Sequence, residues 1–132
     1  MPVKSLTTKF GMIAGKIWNA LDGKEPLKTE KLLKSTKLEE NEFYAGVGWL
    51  ARENKIFKDG TDCYRLGNTN LTPEIGYNAG KVWKIMDIWG EVNISTIKRL
   101  ADIDDKETYS ALGWLAREDN SYIDNRIRCN LE

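Results

Sequence analysis

The chain has 132 residues, 41% of them hydrophobic and 10% aromatic, which is the composition of a folded globular protein and excludes a disordered one. Twenty basic residues balance twenty acidic ones and there is no histidine, so any attraction to nucleic acid is expected to be mild and a zinc site is not expected. No run approaches 18 apolar residues and Met1–Lys9 lacks the apolar core of a signal peptide, so the chain is expected to be cytoplasmic.

Residues 1–10 read as a basic, loosely held arm. From Gly11 to Asp22 the residues Ile13, Ala14, Ile17, Trp18, Ala20 and Leu21 make a helical apolar stripe, with Trp18 as core. Gly23 and Pro26 close it, Leu27 begins a short extended stub, and Thr29 is placed to cap a second helix carrying Leu32 and Leu33 inward. Glu39-Glu40 open a third helix to about Asn54, where acids in the first turn suit the helix dipole. Ile56-Phe57 and Cys63-Tyr64 flank Lys58-Asp59-Gly60-Thr61 as a β-hairpin. Residues 67–75 read as a polar linker. The plan then repeats: a helix over Tyr77–Trp89 with Trp83 as core, a break at Gly90, a stub at Val92–Ile94, a second helix capped by Ser95, a third over Asp104–Glu118, and a hairpin from Tyr122-Ile123 and Arg126–Leu131.

The repeat is visible without gaps at an offset of 65 residues. Gly46–Glu53 and Ala111–Glu118 share Gly-Trp-Leu-Ala-Arg-Glu, and Ala14–Trp18 matches Ala79–Trp83 as Ala-Gly-Lys-(Ile/Val)-Trp. Between Gly11 and Glu118, 14 of 43 aligned positions are identical, enough to settle duplication before any fold is assigned. The expected domains are 1–66 and 76–132, joined by 67–75. Each is small enough to be marginal alone, so the two are expected to pack together. Residues 1–66 carry 12 basic and 9 acidic side chains, and residues 67–132 carry 8 and 11, so attraction to phosphate should sit in the first half.

Three helices and a hairpin, with a stub strand after the first helix, follow the winged helix-turn-helix order. The Ala-Gly-Lys-(Ile/Val)-Trp and Gly-Trp-Leu-Ala-Arg-Glu motifs resemble a small prokaryotic winged helix-turn-helix family of unassigned function, whose members are usually single domains of this repeat's length. The resemblance implies a mainly α fold with small β-hairpin wings, twice over. It implies a fold far more than an activity.

In a helix-turn-helix the start of the third helix usually reads base edges. Here Glu39–Glu53 nets −3 and Asp104–Glu118 nets −2, which phosphates repel. The favourable signal is Lys24, Lys28, Lys31, Lys34 and Lys37 on or beside the second helix, with Lys55 and Lys58 at the wing base; Lys98, Arg99 and Arg126 are the thinner counterpart. These could hold the backbone of duplex DNA without reading sequence, or form an ordinary solvated face. On the third helices, Tyr44, Val47, Gly48, Leu50 and Ala51 are expected to face the first helix, with Gly48 and Gly113 permitting its close approach. Glu42, Trp49, Arg52 and Glu53 then point outward and recur as Glu107, Trp114, Arg117 and Glu118. Either the wing covers each Trp, or the Trp faces meet one another or another protein, as in a fused pseudo-dimer. Cys63 and Cys129 read as small strand residues or as a redox pair. Without histidine or a Gly-rich phosphate loop, neither catalysis nor a cofactor is expected.

Overall fold

The computed structural model describes residues 5–118 together with Ile123, Asp124 and Ile127. The first half runs α1 (Leu6–Leu21), β1 (Leu27–Lys28), α2 (Thr29–Thr36), α3 (Glu40–Arg52), β2 (Ile56–Lys58) and β3 (Cys63–Leu66). A single π turn, Thr72–Gly76, leads into α4 (Tyr77–Trp89), α5 (Ile94–Ala101) and α6 (Asp105–Glu118). The strands form one antiparallel sheet ordered β1-β3-β2, with Leu27 opposite Tyr64 and Phe57 opposite Arg65. Two tandem winged helix-turn-helix domains are thus laid out in chain order.

Helix ends follow local chemistry that both halves share. The acids opening α3 and α6 are caps: Glu39 and Glu42 form a reciprocal capping box, and in α6 Asp104 accepts from the Glu107 N–H while Glu107 accepts from the Asp104 N–H. Glu42 and Glu107, expected on an outward interface, are occupied by this capping. The helices α2 and α5 both end on a left-handed residue, Lys37 (φ 58°) and Asp102 (φ 56°), which stand 65 residues apart. Two expected caps move by one or two positions. Lys28, not Thr29, precedes α2, and Thr29 turns inward; Asn93, not Ser95, caps α5 by accepting from the Thr96 N–H.

Of the segment read as an arm, residues 1–4 lie outside the described residues, while residues 5–10 and the segment read as a linker belong to the fold. Ser5 caps α1 by accepting from the Thr8 N–H, so the helix starts at Leu6 and Phe10 is buried. Leu71 and Ile75, the 65-residue counterparts of Leu6 and Phe10, are buried too, and Asn70 exchanges hydrogen bonds with the Lys58 backbone. This explains why Trp18 and Trp83 are 36% and 42% exposed and not core. Phe10, Ile13, Ala14, Ile17 and Leu21 already complete the buried arc of α1, and Trp18 sits about 100° around the helix from Ile17. In the second hairpin, Tyr122, Arg126 and 128–131 lie outside the described residues. Ile123 and Asp124 lie in a helical turn and not a strand, and Ile127 bridges Val92 in parallel.

The core is continuous across both halves. Its seam is the crossing of α3 and α6, the most extensive contact between any two described elements. A Cβ on Gly48 would lie 1.9 Å from the Ser110 carbonyl oxygen, and one on Gly113 would lie 1.8 Å from that of Ala45. The two glycines therefore permit the approach of α3 to α6, not of α3 to α1. The glycine that α1 needs is Gly46, where a Cβ would meet Ile17 Cδ1 at 2.5 Å. By contrast, a Cβ on Gly15 meets nothing within 4 Å.

This contrast yields a paired expectation. Gly48→Ala should destabilise the chain by about 3 kcal/mol or more, because backbone must move to admit the methyl group. Gly15→Ala should stabilise it by roughly 0.5–1 kcal/mol through helix propensity. Urea unfolding of the two variants beside the parent checks both signs.

Candidate nucleic-acid face and the α3–α6 seam

The seam is built from contacts that come in reciprocal pairs at the 65-residue offset. Arg117 lies over the Trp49 ring at 6.0 Å and its Nε donates to Glu53 at 2.8 Å. Arg52 lies over the Trp114 ring at 5.8 Å and its Nε donates to Glu118 at 3.3 Å. Each indole also rests on a glycine of its own half, Trp49 on Gly11 and Trp114 on Gly76. The Trp faces are therefore covered by a glycine of their own first-helix region and by the other half's arginine. All four members of the two ion pairs are at least partly exposed, so the pairs set register more than they add stability. The structure brings Trp49 to Arg117 and Trp114 to Arg52, as two separate pairs across the seam.

The seam decides what the third helices can do. Eight of the thirteen residues of α3 and eight of the fourteen of α6 are buried. Their exposed starts, Glu39-Glu40 and Asp104-Asp105, are acidic, which phosphates on either side of a major groove would repel.

The lysines lie elsewhere. Lys24, Lys28, Lys31, Lys34 and Lys37 are all exposed. Lys24 and Lys31 line an open groove between α1 and α2 together with Lys16, Asn19, Ser35 and Thr36, and no carboxylate lines it. Lys16, on α1, was not among the sequence candidates; its helix phase places it beside Asn19 and Ala20, which turns it toward α2. Other candidates are engaged: Lys55 pairs with Glu53 at 3.6 Å, Lys58 with Asp62 at 3.8 Å, and Lys98 with Asp105. Arg99 is exposed, while Arg126 and Cys129 lie outside the described residues; Cys63 is a free thiol on β3.

Between the halves, Tyr44, Tyr64, Lys58, Lys106 and Glu107 line a cavity of about 20 Å³, room for a single water. Burial pushes the hydroxyls of Tyr44 and Tyr64 above the ordinary tyrosine value, with neighbouring groups including Asp62 adding to both. The Asp59 carboxyl is held low by hydrogen bonds from Thr61 in the wing turn. Each shift has a structural cause. Among the described residues no three His, Cys, Asp or Glu side chains cluster as metal ligands, and no helix is long and apolar enough to cross a membrane.

Fold and seam together define a winged-helix protein in which two copies of the unit share one core. The profile of the winged helix-turn-helix domain family DUF2582 matches residues 6–65 and again 70–130, and the chain belongs to that family. It is similar to "Uncharacterized protein MJ1608" of Methanocaldococcus jannaschii, with 43% identity over 51 residues, 37% of this chain and 73% of that protein. No solved structure matches the chain.

Tyrosine burial gives a pH dependence with a definite sign. A hydroxyl whose folded pKa exceeds its unfolded value adds stability that is complete below about pH 10 and is lost as pH rises beyond it. The urea midpoint should therefore fall between pH 8 and pH 11, and Tyr64→Phe should make that fall shallower. A midpoint equally steep in the Phe variant would assign the loss to other groups.

Proposed function

We propose that this chain is a fused pseudo-dimer that holds the phosphate backbone of duplex DNA through the α1–α2 face of its first half, without reading sequence. The supporting observation is the groove bearing Lys16, Lys24 and Lys31, lined by neutral Asn19, Ser35 and Thr36. Around it, Lys28, Lys34 and Lys37 outweigh Glu25 and Glu30. Cations with nearby amide and hydroxyl donors are what a phosphate backbone engages, and such contacts position a protein without carrying sequence information. Residues 1–66 and 76–132 act as the two subunits of the pseudo-dimer, and 67–75 is the segment that fuses them.

A regulatory role in transcription follows by analogy of fold alone. With α3 and α6 engaged with one another, sequence choice would have to come from a partner. The rival reading, a protein-binding module using Trp49 and Trp114, loses support because the Trp faces are spent inside the chain.

Fluorescence anisotropy with generic duplex DNA across a salt series tests the proposal. With about three phosphates neutralised, log affinity should fall with log salt at a slope near roughly −3. Duplexes of unrelated sequence should bind alike, and Lys24→Glu with Lys31→Glu should abolish binding. No binding at low salt, or a strong preference for one sequence, would contradict it.

A further inference from the structure

An open cleft of about 290 Å³ lies between α1 and α3, with Trp18 and Trp49 among its nine lining residues. Eight of the nine fall within the 43 positions that align at the 65-residue offset, and seven of those eight are identical in the second half. At the other 35 aligned positions only seven are identical. The seven in the cleft are Gly11, Ala14, Gly15 and Trp18 of α1, Trp49 and Leu50 of α3, and Glu53 just past it. Half of what the two copies still share is therefore gathered on one surface.

Packing accounts for five of them. Ala14 and Leu50 are buried, Trp49 rests on Gly11, and Glu53 accepts from Arg117. It does not account for Gly15 or Trp18. A Cβ on Gly15 would meet nothing within 4 Å, and the same holds for Gly80 in the second half. Glycine inside a helix is destabilising relative to alanine, yet both halves keep it where there is room for a side chain. Trp18 and its counterpart Trp83 both stand outside the core.

A ligand accounts for both. Gly11, Gly15 and Trp18 share one face of α1 at i, i+4 and i+7. Trp49 covers Gly11, so the bare backbone at Gly15 is left open between Trp49 and Trp18. Such a floor admits a planar ring, because glycine lets a ligand approach backbone closely and indoles stack on flat partners. The cleft also meets the lysine groove at Asn19, which lines both, and Lys16 of that groove follows Gly15 in the chain. A flat ring in one and an anionic group in the other is the chemistry of a nucleotide. Bases in a duplex are paired and stacked, so the base that enters is an unpaired one, from a free nucleotide or a single strand.

We propose that this cleft binds an unpaired nucleobase over Gly15, between Trp18 and Trp49, with the attached phosphate in the neighbouring lysine groove. At the rim Asn19 and Lys55 supply donors and the Glu53 carboxylate accepts from ring or exocyclic N–H groups. The choice of a base over other flat rings rests on the phosphate-binding reading of the groove; the cleft itself does not.

Heteronuclear NMR titrations of the assigned full-length chain with adenosine, AMP and a short single-stranded oligodeoxyadenylate test the proposal. Adenosine at millimolar concentration should shift the Gly15 amide and the Trp18 indole N–H. Gly15→Leu, which puts a side chain on the open floor, should weaken that binding by roughly tenfold or more while leaving thermal stability no lower than the parent's. Trp18→Ala should weaken it by a similar factor. An oligonucleotide at least about tenfold tighter than AMP assigns the base to a strand, and equal affinities assign it to a free nucleotide. Adenosine that leaves Gly15 and Trp18 unshifted overturns the proposal, and so do shifts that survive undiminished in Gly15→Leu. Adenosine carries no phosphate, so its failure to bind counts against the cleft, whereas a failure of duplex binding counts against the lysine groove.

Discussion

The structure depends on one steric constraint: α3 and α6 come so close that a side chain cannot stand at Gly48 or Gly113. A glycine inside a helix costs about 1 kcal/mol relative to alanine. The cost is offset because backbone meets backbone at the crossing, which lets Ala45, Val47, Leu112 and Ala116 join one core. Around this crossing the Trp–Arg–Glu contacts repeat in mirror order, each arginine reaching across to the other half's indole and carboxylate. Two units that would each be marginal alone thereby share a single interior.

The constraint also redirects the fold's usual use. A helix-turn-helix that commits its third helix to an internal seam gives up the element that ordinarily enters a groove. What is left for partners is the outer side, where the first and second helices of each half meet. There the halves have diverged while the seam has not. Trp49, Arg52 and Glu53 recur unchanged as Trp114, Arg117 and Glu118, whereas Lys24 and Lys31 are replaced at the 65-residue offset by Trp89 and Thr96. The first half carries the cationic groove, in line with its excess of basic over acidic side chains.

Much of this was legible in the sequence. The 65-residue offset, the helix order and the bounds of α4 needed only pattern and turn chemistry, because strong periodicity and local caps determine them. The direction of each helix was harder. Trp18 and Trp83 follow an apolar stripe and so read as core, but Phe10 and Ile75, from segments that looked like arm and linker, fill that place. Gly48 and Gly113 announced a close approach without saying to what, since one chain's periodicity cannot tell an intradomain neighbour from the other copy. Glu42 and Glu107 recurred for the sake of capping boxes, a local cause that mimics a conserved outward surface. Lys16 went unnoticed because its partners in the groove, Lys24 and Lys31, belong to other elements and only packing unites them.

Nuclear Overhauser contacts in the assigned full-length chain test the seam most directly. The account requires cross-peaks from the Gly48 Hα protons to Ser110 and Trp114, and from the Gly113 Hα protons to Ala45 and Trp49. If these resonances are assigned and Gly48 and Gly113 instead show contacts to α1 and α4, the two third helices do not meet, and the shared core does not exist.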